Sequence, residues 1–371
     1  MRIRGDIDSG NIVIHDASGS DVTLGIRHDS NAPEFRQWFH FRAERAKPCT
    51  FRITELSTTS YPAAWDDYNV CTSFDGEQWF RTPSRIEDDA LCFELEDAAA
   101  VVHYAYFAPY DLRRHRAMIA AANKSPLARV SVLGKSVNKR PMELITLGDG
   151  PLTLWVIARQ HPGETMGEWF AEGLLGKLMD ADDPIAAELR ERATLHIVPN
   201  MNPDGSTLGN LRANAAGMNL NRAWLEPNAV RSPEVLAVRA RMEQTGVDLF
   251  LDVHGDEQNP YCFLAGCEGN PSYTERLAGL ENLFEQALCD DNEDFQDEYG
   301  YDRDEPGGGD LRAAANWVGE RFDCLSFTVE MPFKDAMNHP DEIVGFSPDR
   351  ARRLGGSTLD AILATLDELR E

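Results

Sequence analysis

The chain has 371 residues, of which 42% are hydrophobic and 26% are charged, and this composition is typical of a folded globular protein. Its 62 acidic and 36 basic residues give a net charge of −26, which excludes sequence-independent binding to nucleic acid because phosphate contacts require a surplus of lysine and arginine. No segment approaches the ~20 consecutive apolar residues of a membrane helix, and the first residues lack the apolar core of a secretory signal. We therefore expect a cytoplasmic protein that does not contact membranes.

The first third of the chain predicts a β-sandwich. Short runs such as CTFRITEL and VVHYAYF are separated by turn-forming Gly, Asp, Ser and Pro residues, which is typical of a sandwich built from short strands. Phe74-Asp75-Gly76 indicates a tight hairpin between two of these strands. After Pro109 the apolar residues take up a helical spacing, which suits a helix that bridges two domains. We place an N-terminal antiparallel β-sandwich domain at residues 1–117.

The remaining residues, 118–371, predict an α/β domain with a mixed, mainly parallel sheet flanked by helices. Apolar runs typical of buried strands, among them LTLWVIAR, ATLHIVPN, VDLFLDVHG and CLSFTVEM, alternate with longer stretches of helical character. The predicted helices include GEWFAEGLLGKLM, SPEVLAVRARMEQ, residues 272–289 and residues 348–369. The acidic stretch at 290–305, followed by a proline and three glycines, predicts a mobile surface loop.

Chemically functional side chains follow three of the predicted strands. LTLWVIARQ runs into His161-Pro162-Gly163-Glu164, VDLFLDV runs into His254, and CLSFTV runs into Glu330. In open α/β sheets, ligands bind beyond the carboxyl ends of the strands, so we expect these side chains to meet there. Taken alone, each also fits an ordinary role, such as a turn histidine or an acidic residue near a helix N-terminus.

Two histidines and one glutamate form the ligand set of a catalytic zinc site whose fourth position is left for water. We predict one zinc ion per chain, held by His161, Glu164 and His254. Zinc lowers the pKa of a bound water to roughly 7, and Glu330 is the expected general base that passes the water's proton to a leaving amine. A purely structural role explains Glu330 least well, because an unpaired buried carboxylate is costly.

The segment between the first and second zinc segments, NMNPDGSTLGNLRANAAGMNLNRAW, is rich in Asn and Arg. Asn221 and Arg222 are expected to bind the terminal carboxylate of a substrate, since arginine forms two-pronged hydrogen bonds with carboxylates. Arg212 is expected to face the carbonyl oxygen of the bond to be cut, where negative charge develops. The same residue types also suit a polar surface loop.

The ordered set HPGE, NPDG, NLNR, HG and a late Glu resembles the M14 family of zinc metallocarboxypeptidases. The runs VPNMNPDG, GNLR and DVHGDEQNPYCFLAG are similar to its cytosolic carboxypeptidase-like subfamily, and the resemblance spans nearly the whole chain. It implies a carboxypeptidase-like fold after a β-sandwich, and hydrolysis of the C-terminal peptide bond of peptides or protein tails. It also implies the roles given above for His161, Glu164, His254, Arg212, Asn221, Arg222 and Glu330.

Two features of the family's site are not matched by this sequence. The digestive members carry an Asp two residues before the Asn-Arg pair to orient the first zinc histidine, whereas this chain has Asn219, whose amide oxygen can accept the same N–H without supplying a charge. Tyr299 and Tyr301 lie in the region of the family's active-site tyrosine, and both stay candidates.

Two other functions remain open from the sequence. A zinc amidohydrolase of the aspartoacylase or succinylglutamate-desuccinylase type would share the metal ligands and act on small N-acyl amino acids. A non-catalytic peptide-binding protein could keep the same fold.

Overall fold

The computed structural model describes residues 1–369, with a β-sandwich followed by an α/β domain. The sandwich strands are β1 Arg2–Arg4, β2 Val13–Asp16, β3 Asp21–Gly25, β4 His40–Ala46, β5 Cys49–Thr54, β6 Val70–Ser73, β7 Phe80–Thr82, β8 Ser84–Glu87, β9 Ala90–Leu95 and β10 Ala99–Ala105. The later strands are β11 Ala128–Lys135, β12 Pro141–Leu147, β13 Leu152–Ala158, β14 Ala193–Val198, β15 Leu249–Val253, β16 Phe263–Ala265 and β17 Leu325–Glu330. The α-helices of the described residues are α1 Leu112–Lys124, α2 Met166–Leu178, α3 Pro184–Arg192, α4 Pro203–Leu208, α5 Pro233–Thr245, α6 Glu275–Asp291, α7 Ala314–Phe322 and α8 Pro348–Thr365.

The sandwich joins two five-stranded sheets, with strand orders β1-β4-β10-β6-β7 and β2-β3-β5-β9-β8. Neighbouring strands are antiparallel, as predicted, except that β3 and β5 pair in parallel. Buried rings from both sheets, Phe41, Phe51, Phe93 and Tyr104, contact one another with centroids 5.0 to 5.7 Å apart. Because large aromatic side chains remove much apolar surface from water, this layer holds the two sheets together. β6 and β7 form the predicted hairpin, with Gly76 at φ 75°.

The sheet of the second domain has the strand order β11-β12-β14-β13-β15-β17-β16. Its four central strands, β14, β13, β15 and β17, are parallel, whereas the pairs at both edges are antiparallel. The central strands are almost wholly buried, which explains their continuous apolar runs in the sequence. The predicted mixed α/β sheet is therefore confirmed.

Three strands that precede candidate site residues lie side by side in this sheet. Ala158 of β13 pairs with Val253 of β15, which pairs with Val329 of β17. The predicted histidine ligands and the predicted general base follow this row by one to three positions along the chain. The parallel strands therefore place His161, His254 and Glu330 at the same edge of the sheet, at or just beyond the carboxyl ends of β13, β15 and β17.

The elements of the second domain that were not predicted from the sequence include the strand β11 and the helix α7. β11 is an edge strand with mostly exposed or half-exposed residues, and α7 is a helix of nine residues. The predicted bridging helix is α1, whose N-cap Asp111 accepts the Arg114 N–H at 2.8 Å. The domain boundary proposed at residue 117 falls inside this helix and stays a prediction. So does the mobility of the loop at 290–305, whose first two residues belong to α6.

None of the helices in residues 1–369 combines the length and the apolar character that crossing a membrane requires.

Candidate metal centre and active site

Three buried side chains converge where β13 and β15 end. His161 Nδ1 lies 2.7 Å from one carboxylate oxygen of Glu164, His254 Nδ1 lies 2.7 Å from the other, and the two Nδ1 atoms are 3.1 Å apart. The turn between His161 and Glu164 is fixed by the Gly163 N–H, which donates to the Leu211 carbonyl at 2.8 Å. A Cβ at Gly163 would lie 2.9 Å from that oxygen, so this close approach requires glycine. The structure thus brings the three predicted ligands together.

Each imidazole is held by a hydrogen bond on its outer nitrogen. His161 Nε2 donates to Oδ1 of Asn219 at 3.0 Å, which is the contact expected of this amide. His254 Nε2 donates to Asp252 Oδ2 at 2.8 Å, and Gln160 Nε2 donates to the same oxygen at 2.7 Å. Because both Nε2 atoms face outward, the two Nδ1 atoms face the carboxylate between them, and these are the nitrogens that a cation would bind.

The electrostatics of this cluster fit a divalent cation. Burial and the nearby Arg212 hold the pKa of His161 at about 3, so its imidazole is neutral at pH 7. Burial alone would lower the pKa of His254, but Asp252 and Glu164 raise it well above its usual value. Burial opposes ionisation of Glu164, yet the two imidazoles hold its pKa below its usual range. A cation bound by carboxylate and neutral imidazole would take the place of the proton on His254.

Glu330 ends β17 with its buried carboxylate in the same cavity. The Tyr301 hydroxyl lies 3.1 Å from Oε1 of Glu330 and 2.7 Å from Oδ2 of Asp256. Oε2 of Glu330 has no hydrogen-bond partner among the described residues. Burial raises the pKa of Glu330 well above its usual range, although His254 opposes the shift. Tyr301, and not Tyr299, is therefore the tyrosine that contacts the predicted general base.

Arg212 lies between the ligand cluster and the N-terminal domain. Its NH1 atom is 3.9 Å from Oε1 of Glu164, and its Cζ atom is 5.6 Å from the centre of the Tyr61 ring, a cation–π distance. Tyr61 belongs to the sandwich domain. The guanidinium is mostly buried, with 17% of the side chain exposed, so it can donate to a group bound beside the ligand cluster.

Asn221 and Arg222 line the cavity from a short 3₁₀ turn. Asn221 Oδ1 accepts the Ala314 N–H at 2.7 Å, which fixes the amide group. Arg222 Nε lies 3.5 Å from Asp310 Oδ2, and Asp310 also pairs with Arg312 at 2.8 Å. Because ion pairs this exposed contribute little, a carboxylate ligand can displace Asp310 from Arg222.

All seven predicted site residues line one cavity of about 680 Å³, a size suited to a small ligand or the end of a peptide. The same cavity is also lined by Tyr61, which contacts Arg212, by Tyr301, which contacts Glu330, and by the carboxylates of Asp256 and Glu257.

Comparison with protein families identifies both domains. Residues 116–351 match the family described as zinc carboxypeptidase, and residues 3–107 match the cytosolic carboxypeptidase N-terminal domain. The chain belongs to the M14 zinc carboxypeptidase family. The resemblance to the M14 family that the sequence motifs indicated is therefore confirmed.

Solved structures and sequence relatives agree with this assignment. The carboxypeptidase is similar to a metallo-carboxypeptidase from Pseudomonas aeruginosa in complex with (2-guanidinoethylmercapto)succinic acid, with 48% identity, a TM-score of 0.96 and 100% of both chains covered. It is also similar to a metallo-carboxypeptidase from Burkholderia cenocepacia, with 42% identity, a TM-score of 0.95 and 99% of both chains covered. Mouse cytosolic carboxypeptidase 6 is 28% identical over 78% of this chain and 58% of its own length. The protein is a metallocarboxypeptidase, and the comparisons do not favour the amidohydrolase or the non-catalytic alternative.

Several residues of the carboxypeptidase site were not predicted. Asp252 carried a signal, because it is an acidic residue within a buried apolar strand, two positions before His254. Tyr61 and Asp29 carried none, because they come from the sandwich domain and reach the site only through the tertiary fold.

Proposed function

We propose that the protein hydrolyses the C-terminal peptide bond of peptides or protein tails, with one zinc ion per chain held by His161, Glu164 and His254. The observation that carries this proposal is the convergence of three buried donor side chains beside a carboxylate with one free oxygen, Oε2 of Glu330. When bound, zinc lowers the pKa of water and polarises a carbonyl group.

Glu330 is the proposed general base. Its Oε2 atom is free to take a proton from the attacking water and to pass it to the nitrogen of the leaving amine. The Tyr301 hydroxyl contacts Oε1 at 3.1 Å, which positions the carboxylate with Oε2 available. A cation in the neighbouring ligand cluster would favour the ionised form that this role requires.

Arg212, Asn221 and Arg222 are the proposed substrate-binding groups. Arg212 donates to the carbonyl oxygen as negative charge develops on it, and such a donor typically contributes about 2.7 to 4 kcal/mol to transition-state stabilisation. Asn221 and Arg222 bind the terminal carboxylate, since arginine forms two-pronged hydrogen bonds with carboxylates. The similar Pseudomonas aeruginosa metallo-carboxypeptidase is in complex with a compound that carries carboxylic acid groups. Together these contacts would select the free C-terminal end of a chain.

We also propose that the enzyme works in the cytoplasm. Its relatives include proteins named cytosolic carboxypeptidases, and its N-terminal domain matches the domain described under that name.

The experiment that tests the proposed function is release of C-terminal amino acids from a peptide library by zinc-loaded wild type and Glu330→Gln. Glutamine keeps the shape of the side chain but removes the proton acceptor, so turnover should fall by about 10²- to 10⁴-fold with zinc retained. Glu298→Gln, which removes a carboxylate from the rim of the same cavity, is the matched control. Wild type that releases no residue, or a fully active Glu330→Gln, would contradict the proposal.

A further inference from the structure

The N-terminal domain forms hydrogen bonds with the loop that contains Arg212. We call this contact the clasp: residues 9–11 and 27–31 of the sandwich domain against residues 207–217 of the α/β domain. Asn11 Nδ2 donates to the Gly209 carbonyl at 2.8 Å, and Asn31 Nδ2 donates to the Ala215 carbonyl at 2.8 Å. The clasp therefore holds the loop on both sides of Arg212.

Two glycines allow the two backbones to come this close. Gly209 has φ 69°, and a Cβ there would lie 2.5 Å from the Gly10 carbonyl oxygen. Gly217 has φ 74°, and a Cβ there would clash with the Asn31 carbonyl oxygen. Both positions combine a left-handed backbone with backbone-to-backbone contact, so only glycine fits without strain.

Asp29 is the central contact of the clasp. Its Oδ1 accepts the Leu211 N–H at 2.6 Å, and its Oδ2 accepts the N–H groups of Arg212 at 2.7 Å and Ala213 at 2.8 Å. The residue is only 4% exposed, so the carboxylate is bound almost entirely by these three consecutive donors. Hydrogen bonds to an ionised acceptor in a buried setting are among the stronger ones in proteins.

The same backbone connects Asp29 to the turn that holds the metal ligands. The carbonyl of Leu211 accepts the Gly163 N–H at 2.8 Å, between His161 and Glu164. Asp29 of the N-terminal domain thus fixes the backbone of Arg212. Through Leu211 it also supports the turn between His161 and Glu164.

We propose that Asp29 is a positioning residue for Arg212, and that the N-terminal domain is in this way a working part of the active site. Tyr61 supports the same conclusion, because it brings a second side chain of that domain against the Arg212 guanidinium. The kinetic consequences rest on the proposed function, whereas the effect on the loop does not.

Hydrogen–deuterium exchange of Asp29→Asn tests the effect on the loop without any need for activity. The amide side chain cannot accept all three N–H groups, so we expect exchange of residues 211–213 to rise at least about tenfold while the strands of the sandwich keep their protection. Asp75→Asn is the matched control, because Asp75 also accepts consecutive N–H groups, from Glu77 and Gln78, at an exposed turn of the same domain. Unchanged exchange at 211–213, or an equal rise throughout the sandwich, would overturn the proposal.

Kinetics with a double variant separates positioning from general damage. Asp29→Asn should lower kcat about tenfold with KM changed less than about threefold and zinc content unchanged. Adding Asp29→Asn to Arg212→Ala should cost little more, since a residue that acts through Arg212 has nothing left to position. Fully additive losses of kcat would contradict the positioning role of Asp29 but not the proposed function. A wild type without turnover would contradict the proposed function, and hydrogen–deuterium exchange alone would then test the positioning role.

A milder variant covers the case in which Asp29→Asn does not fold. Asn31→Gly removes the hydrogen bond to Ala215 at an exposed position whose φ of 61° glycine adopts freely. We expect exchange at residues 211–217 to rise by about threefold or more. Unchanged exchange there would count against the clasp.

Discussion

Two clusters of histidine and glutamate side chains lie near the start of α2, one with Glu164 and the other with Glu168, and they differ in what their histidine nitrogens face. In the metal cluster, the Nδ1 atoms of His161 and His254 lie 3.1 Å apart and share one carboxylate. In the other cluster, both nitrogens of His115 face carboxylates, Glu168 at 2.7 Å and Glu143 at 3.3 Å. In the metal cluster, nitrogen and oxygen donors from three side chains meet at one point. In the other cluster, two carboxylates surround a single imidazole.

This difference shows when a cluster of buried histidine and glutamate side chains indicates a metal site. Burial alone would lower the pKa of His115, but Glu168 and Glu143 raise it to about 9, so the imidazolium itself neutralises the surrounding carboxylates. Arg159 and Asn200 complete the hydrogen bonds of Glu168. This cluster is satisfied by its own side chains, whereas the facing Nδ1 atoms of the metal cluster need a shared cation.

The largest difference between the two clusters is expected when a metal ligand is removed. His254→Ala takes away one of the three donors, and we expect stoichiometric zinc binding and peptide hydrolysis to be lost together. His115→Gln, in the cluster without converging lone pairs, should keep its zinc. Metal content after dialysis measures both variants, and a His254→Ala protein that holds one zinc per chain would contradict the assignment.

The outer partners of the two imidazoles offer a finer test within the metal cluster. Asp252→Asn removes a charged acceptor and should weaken zinc binding about 10- to 100-fold. Asn219→Ala removes a neutral acceptor and should cost about tenfold or less, while Asn219→Asp should strengthen binding. Competition with a chelator measures these affinities. A larger loss in Asn219→Ala than in Asp252→Asn would show that the charge on the partner is not what matters.

The smallest effect on metal binding and activity is expected in the other cluster, where a substitution should change the stability of the protein instead. The pKa of His115 is raised above its unfolded value of about 6.5, so its contribution is present in full below pH 6.5 and is lost as the pH rises through about 9. The shift corresponds to roughly 3 kcal/mol at most.

Urea unfolding of wild type and His115→Gln at several pH values measures this contribution. The difference in unfolding free energy should be largest near pH 6 and should shrink towards zero above pH 9. His196→Gln is the control, because burial lowers the pKa of His196 to about 4 and its neutral form persists throughout this range. A pH-independent difference for His115→Gln would mean that the residue is not charged in the folded protein.

The sequence allowed prediction of the parts of the site that follow directly from buried strands. The strands β13, β15 and β17 appear as continuous apolar runs, and His161, His254 and Glu330 come after or at their ends. Because parallel strands end at one edge of a sheet, the meeting of these residues could be inferred without coordinates.

The remaining parts depend on long-range contacts that leave no local pattern. Asp29 lies about 180 residues before the loop that it binds, and the hydrogen bonds join backbone donors whose residue types do not matter. Tyr301 could not be distinguished from Tyr299 by sequence, since both lie in the same loop and only the folded loop brings one hydroxyl to Glu330. The edge strand β11 is a different case, because Ala128, Val130 and Val132 alternate with polar residues, so a local signal for the strand was present although it was not predicted.

The most direct test of the account is a zinc titration of metal-free protein, with hydrolysis of a peptide that has a free C-terminus and of the same peptide with an amidated C-terminus. The account predicts no activity without metal, a rise that saturates at one zinc per chain, and release of the last residue from the free peptide only. Activity in the metal-free protein, or equal cleavage of the amidated peptide, would contradict it.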